Sequence, residues 1–236
     1  MNEYAIVANN LTKSYRLSKN ELASKSKLED KKIIDNVSFN IEKGKMIGII
    51  GKNGSGKTTL LRLIAGILKQ DEGEMITNGK IGPLLQIGVG SNEELSVKEN
   101  IIFQGILLGF DKHTITDKVL EILKFAELEE YVNTKMKHLS SGMKVRIMFS
   151  TAMSMNPDIL LVDEVISVGD ISFRQKSFDS FLSFKKRNKT IIFVSHNLSV
   201  VKKICDEVIM LDKGKVIEIG EPEKIIKTYQ DFCNKN

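Results

Sequence analysis

MIGIIGKNGSGKTTLLRLIAG, residues 46 to 66, joins an apolar run to a glycine-rich turn and then to a helical pattern. The run MIGII has no polar alternation, as expected of a strand covered by helices on both faces. GKNGSGKT, Gly51 to Thr58, fits the phosphate-loop pattern G-x-x-x-x-G-K-[ST] at every fixed position. Each part has a chemical reason. Gly51, Gly54 and Gly56 let backbone N–H groups turn inward on phosphate oxygens, and the helix start adds the positive end of its dipole. Lys57 reaches the β- and γ-phosphates, and the Thr58 hydroxyl binds Mg²⁺. Asn53, Ser55 and Thr59 complete the loop and its entry into the helix.

Two more apolar runs have the same character, ILLVD (159 to 163) and TIIFV (190 to 194). A distinctive polar cluster follows each: Glu164 after the first, Ser195 and His196 after the second. In open α/β sheets ligands bind beyond the carboxyl ends of strands, so three such ends predict one shared site. Asp163 closes a buried strand, where an unpaired carboxylate is costly, and Mg²⁺ held through water is the natural partner. Glu164 is positioned to orient and deprotonate an attacking water. His196 is read as a contact to the γ-phosphate and that water. His113 and His138 carry no comparable context and are read as surface residues.

A chain of 236 residues with 42% hydrophobic and 28% charged residues reads as globular, with room for one domain and an inserted subdomain. The net charge of +5 is spread along the chain. It suits a basic surface near an anionic membrane or a polyanion and compels neither. Cys205 and Cys233 are the only cysteines and sit in no metal-ligand spacing, which points to a reducing compartment. The amino terminus, MNEYAIVANN, lacks the basic and apolar regions of a signal peptide. No apolar run approaches the ~20 residues that span a bilayer, so work at a membrane requires another chain.

The first 45 residues alternate as strands and predict a small antiparallel sheet. Between its strands LSKNELASKSKLEDKK, residues 17 to 32, has five lysines against three acids and reads as a surface loop or short helical excursion. Residues 97 to 136 are mostly helical by period, with Thr116 and Asp117 as start signals for the second helix. Val145, Met148, Phe149, Ala152 and Met153 form a further apolar stripe, with the methionines as core filling. A hairpin turning at Lys213–Gly214 precedes a short helix from Pro222, with Ile225, Tyr229 and Phe232 on one face.

HLSSGMKVR, residues 138 to 146, looks like a second phosphate loop. The order GKNGSGKTT, Gln86, LSSGM, ILLVDE, SVGD and His196 resembles the ATP-binding cassette (ABC) ATPases over essentially the whole chain. That resemblance implies an α/β fold: a P-loop NTPase (RecA-like) core with a small antiparallel β subdomain and an inserted α-helical subdomain. The core and β subdomain would take 1–86 and 158–236, and the helices about 87–157. It also implies that two copies stack head to tail, the LSSGM of one capping the ATP held by the other. A two-fold isologous interface gives that arrangement.

By position, the resemblance implies that Tyr15 stacks on adenine, that Gln86 links Mg²⁺ and water to a membrane partner, and that Asp170 packs across the dimer. Ser140 and Gly142 would touch the γ-phosphate in trans. Ser141 stands where the family usually has glycine, and Met143 where it usually has glutamine.

LSSGMKVRIMFS, DEVISVGD followed by FRQKS, and the ending GEPEKIIKTYQDF are similar to the exporters of surface polysaccharide, of the teichoic-acid and lipid-linked O-antigen types. This resemblance implies a peripheral ATPase on the cytoplasmic face of the membrane, working with an integral membrane subunit, ATP and Mg²⁺. Nucleic acid is not expected as a partner. Two alternatives stay open: an ABC ATPase for another cargo, such as an importer or drug exporter, and a soluble ABC protein acting on ribosomes or DNA.

Overall fold

A computed structural model describes residues 3–18, 28–84, 91–163 and 171–235. In chain order the first elements are β1 (Tyr4–Ser18), β2 (Leu28–Glu42), β3 (Met46–Ile50), α1 (Lys57–Ile64), β4 (Glu72–Thr77), β5 (Ile81–Leu84), α2 (Val97–Leu107) and α3 (Lys112–Ala126). Short 3-10 turns at Glu129–Tyr131 and Met136–His138 lead to α4 (Ser141–Ser154), β6 (Ile159–Asp163), α5 (Ile171–Lys186) and β7 (Thr190–Val194). The chain continues through α6 (Leu198–Ile204), β8 (Glu207–Asp212), β9 (Lys215–Gly220) and α7 (Pro222–Lys235). Two compact units divide it: Met1–Asn78 with Ile192–Asn236, and Gly79–Ile191.

In the first unit, β1 pairs antiparallel with β2 and β4, in the order β2–β1–β4. The alternation is visible in β2, where Val37, Phe39 and Ile41 are buried while Ser38 and Asn40 face solvent. Asn10 and Asn36 adopt positive φ, as asparagine tolerates, and their side chains hydrogen-bond each other at 2.8 Å across the strands. The described part of the segment 17–32 is strand, not the loop or helix expected of it: β1 runs to Ser18 and β2 begins at Leu28. Arg16 opposite Asp30, an ion pair at 3.4 Å, and Tyr15 opposite Lys31 extend the ladder with polar side chains. Backbone pairing needs no apolar face, so composition did not reveal it.

The same unit carries β3, fully buried along its length, with β8 parallel beside it and β9 antiparallel at the edge. Lys213 and Gly214 both have positive φ, which suits the tight turn between β8 and β9. The C-terminal helix is longer than the short one expected. Its start is fixed by Lys202–Glu223 and Lys224–Glu218 ion pairs at 2.8 and 2.7 Å, and Ile225 and Ile226 are buried.

In the second unit, β5 and β6 pair in parallel from Ile81↔Ile159 to Leu84↔Val162. Helices α2, α3 and α4 enclose a core that includes Ile101, Ile115, Val119, Ile122 and Ile147. A capping box of Ser96 and Glu99 starts α2. The start of α3 lies earlier than Thr116–Asp117: Asp111 is the N-cap, and its carboxylate accepts from the Thr114 amide at 2.9 Å. Asp117 is instead inside the helix, paired with an exposed His113 at 3.0 Å. Phe149 of α4 stacks with Phe125 and meets Phe173 and Phe181 edge-on. Glu127 accepts from Lys176 at 2.9 Å and faces Arg146 at 3.5 Å, and these cations lie over Phe125 and Phe173.

Where α2 meets α3, a Cβ on Gly105 would stand 2.4 Å from Ile115 Cγ1. Gly105→Ala is therefore expected to destabilise the helical unit by about 1–3 kcal/mol, as overpacking does. Urea unfolding followed by circular dichroism checks it; an unchanged midpoint would contradict the packing.

Candidate functional site

The loop 51–56 is set by what touches it. A Cβ on Gly51 would lie 2.2 Å from the Leu211 carbonyl oxygen, so β8 and the loop approach as only glycine permits. Gly56 has φ 106° and is pressed against the Ile33 carbonyl, where a Cβ would stand at 2.8 Å. The Gly214 amide donates to the Ser55 carbonyl at 2.9 Å. Strand β2 and the β8–β9 turn therefore hold the outside of the loop.

Inside it, Lys57 is buried and its amine donates to the Gly51 and Lys52 carbonyls at 2.8 and 3.0 Å. The Lys52 carbonyl also accepts from the Ser55 amide at 3.1 Å. Gly56 caps α1 without any side-chain bond to the helix amides, and the first turn holds no acid. Ser55 Oγ is buried and has no hydrogen-bond partner among the described residues. Helix amides, a buried cation and an unused hydroxyl converge on one loop, a set that fits phosphate oxygens.

Thr58 and Thr59 are half-buried in the first turn of α1, while Asn53 and Gly54 face solvent. Tyr15 belongs to the same unit and is 37% exposed, enough to offer a ring face. Register relates it to the loop: Lys13 pairs with Ile34 behind Gly56, and Tyr15 pairs with Lys31 further along the ladder. His196 is exposed just beyond β7, the strand next to β3. Asn197 follows it as the cap of α6, its amide donating to Ser195 Oγ at 3.0 Å.

The remaining described residues of the expected site lie in the second unit. Asp163 is half-buried at the end of β6. Ser140 is the N-cap of α4, its hydroxyl accepting from the Met143 amide at 3.2 Å. Ser140 and Ser141 are exposed and Gly142 is half-buried. The start of α4 is clamped by charges that the sequence reading did not single out. Lys144 donates to Glu93 at 2.6 Å, and Lys135 and Lys137 reach Glu94 at 3.3 and 3.0 Å. The Lys137 amine, then Lys135, holds the Glu94 carboxyl below its usual range. The adjacent acids in SNEEL were the available signal. Gln86, Glu164 and Asp170 lie outside the described residues.

The family model described as ABC transporter matches residues 34–167, more than half of the chain. The chain belongs to the ABC transporter family. Among curated proteins, this ABC cassette is 41% identical to the O-antigen export system ATP-binding protein RfbB of Klebsiella pneumoniae, over 84% of this chain and 80% of the relative. It is 39% identical to the teichoic acids export ATP-binding protein TagH of Staphylococcus epidermidis, over 94% of this chain and 87% of the relative. Among solved structures, it resembles the dimeric ATP-binding cassette MJ0796 in a post-hydrolysis state bound to ADP and Pi. That likeness has a TM-score of 0.77 and 26% identity, covering 92% of this chain and 98% of the other. The fold is therefore that of the ABC ATPases, as the motifs imply. No helix among the described residues is long and apolar enough to cross a membrane.

Because Gly51 has no room for a side chain, Gly51→Ala is expected to displace the loop from Leu211. Mg-ATP affinity should fall at least about tenfold, well beyond the effect of an ordinary surface change. Titration calorimetry measures this directly, and affinity equal to wild type would refute the steric reading.

Proposed function

We propose that this chain is the ATP-hydrolysing subunit of an exporter of cell-surface polysaccharide or its lipid-linked precursor, of the O-antigen or teichoic-acid type. The observation that carries the ATPase reading is a glycine loop, tightened at Gly51 and Gly56, that leads into α1 with Lys57 buried inside it. The names of the relatives support the cargo class. In this reading the cassette occupies the whole chain, with about 87–157 as the helical subdomain. It works as a head-to-tail dimer against a separate integral membrane subunit, peripheral to the cytoplasmic face of the membrane.

Gly51, Asn53, Gly54, Ser55, Gly56, Lys57, Thr58 and Thr59 hold the phosphates, and Tyr15 stacks on the adenine. Lys57 exchanges its two carbonyl acceptors for phosphate oxygens, where its charge offsets that developing on the γ-phosphoryl group. Glu164 accepts a proton from the attacking water as the new P–O bond forms and the bond to the β-phosphate oxygen breaks. His196 orients that water and the γ-phosphate. Ser140, Ser141 and Gly142 of one copy cap the phosphate on the other, and Asp170 packs across the dimer.

Thr58, Asp163 and Gln86 would hold Mg²⁺, directly or through water. The Thr58 hydroxyl and the Asp163 carboxylate are hard oxygen donors, which suit that ion. When bound, Mg²⁺ neutralises charge on the β- and γ-phosphate oxygens.

Light scattering on purified Glu164→Gln with and without Mg-ATP tests the dimer. A shift from monomer to dimer only with ATP is expected, with ATP bound but not turned over. Ser140→Ala should abolish the shift while each monomer still binds nucleotide, and Ser140→Thr, which keeps a capping hydroxyl, should retain it in part. Normal turnover by Glu164→Gln would remove that residue as the base. For the cargo, deletion of the protein should leave polymer inside the cell and deplete surface glycan; unchanged surface glycan would overturn the export assignment.

A further inference from the structure

The C-terminal helix reaches the nucleotide loop. Phe232 of α7 is half-buried, and the Lys52 amine lies over its ring at 5.1 Å from the centroid. Lys52 is the second residue of the loop, and its carbonyl accepts from both the Ser55 amide and the Lys57 amine. One residue thus carries the cation that α7 engages and the carbonyl on which the loop's inner bonds converge. The surroundings support a fixed contact. Helix α7 packs on β8, β9 and α6, and its first turns are anchored by two ion pairs and by buried Ile225 and Ile226. One turn before Cys233, the Tyr229 phenol is pushed up to about 12, by burial first, then by Cys233 and by the charge of Asp212. Helix α7 packs on β8, and the carbonyl of Leu211 in that strand abuts Gly51, so helix and loop share one strand.

We propose that Phe232 is a positioning residue for nucleotide binding: its ring holds the Lys52 side chain, and through the Lys52 carbonyl it keeps the loop curved around Lys57. This rests on the ATP-binding reading of the loop. The contact touches no substrate atom. It restricts the loop before nucleotide arrives, so less order remains to be imposed on binding, and affinity gains while the chemical step does not. A cation over an aromatic face is attracted by the ring quadrupole, so the effect depends on an aromatic at 232 and a cation at 52.

The test compares purified wild type with Phe232→Leu, Phe232→Tyr, Lys52→Met and the Phe232→Leu/Lys52→Met double variant. Kd for Mg-ATP is read by displacement of a fluorescent ATP analogue, kcat and KM by phosphate release, and the thermal midpoint without nucleotide. Phe232→Leu is expected to raise Kd and KM about three- to tenfold, with kcat and the nucleotide-free midpoint nearly unchanged. Phe232→Tyr should restore wild-type affinity, and the double variant should lose little more than either single one. Unchanged Kd in Phe232→Leu, or additive losses in the double variant, overturns the proposal. So does an affinity loss that tracks a lowered midpoint and is not restored by tyrosine. A wild-type chain that fails to bind Mg-ATP overturns the function and this inference with it; wild-type binding with indifferent variants overturns this inference alone.

Discussion

Gly51 and the Leu211 carbonyl approach so closely that no side chain fits between them. That contact fixes where the loop leaves β3 relative to the end of β8, its parallel neighbour. Once the exit is fixed, the hairpin turn after β8 reaches the loop, with the Gly214 amide on the Ser55 carbonyl and the Gly214 carbonyl accepting from the Asp35 amide. Loop, hairpin and β2 are thus tied by backbone groups. Side chains are small or absent at Gly51, Ser55 and Gly214, while the Asp35 carboxylate adds an ion pair to Lys215 of the hairpin at 3.3 Å. The interior of the loop is left to Lys57 and to the amides at the start of α1.

Helix α4 is held in a different way. Its start relies on charge: Ser140 caps it, and the neighbouring lysines are drawn to Glu93 and Glu94. These pairs are exposed and individually weak. Further along, the helix relies on rings, with Phe149 among Phe125, Phe173 and Phe181. The Glu127 carboxylate accepts charge from α4 and α5 together, through Arg146 and Lys176. The exposed end that carries Ser140 and Ser141 is therefore backed by a packed aromatic body.

The three buried strands were legible because a strand covered on both faces leaves an unbroken apolar run, and MIGII, ILLVD and TIIFV coincide with β3, β6 and β7. The turn at Lys213–Gly214 was legible through Gly214, which accepts the positive φ its backbone demands; Lys213 adopts positive φ beside it without any such signal. The outer ends of β1 and β2 were not. Their ladder is made by backbone atoms, and Arg16, Asp30, Lys31 and Lys32 conceal it from any hydropathy pattern. The start of α3 was misplaced because Thr116 and Asp117 are residue types that cap helices, whereas in the fold it is the Asp111 carboxylate that accepts from the Thr114 amide. Within the site, the glycine loop announced itself by spacing. The contact of Phe232 with Lys52 could not, because it joins residues far apart in the chain through an interaction without a sequence signature.

The two carbonyls that hold the Lys57 amine also act as competitors. Any ligand that recruits this lysine must replace two good acceptors already in place, in a buried setting where an unsatisfied ammonium is costly. A nucleoside, or a monophosphate that ends short of the amine, offers nothing in exchange. A polyphosphate chain offers several charged oxygens at once. A ligand that engages this lysine must therefore supply acceptors at least as good as the Gly51 and Lys52 carbonyls it would release.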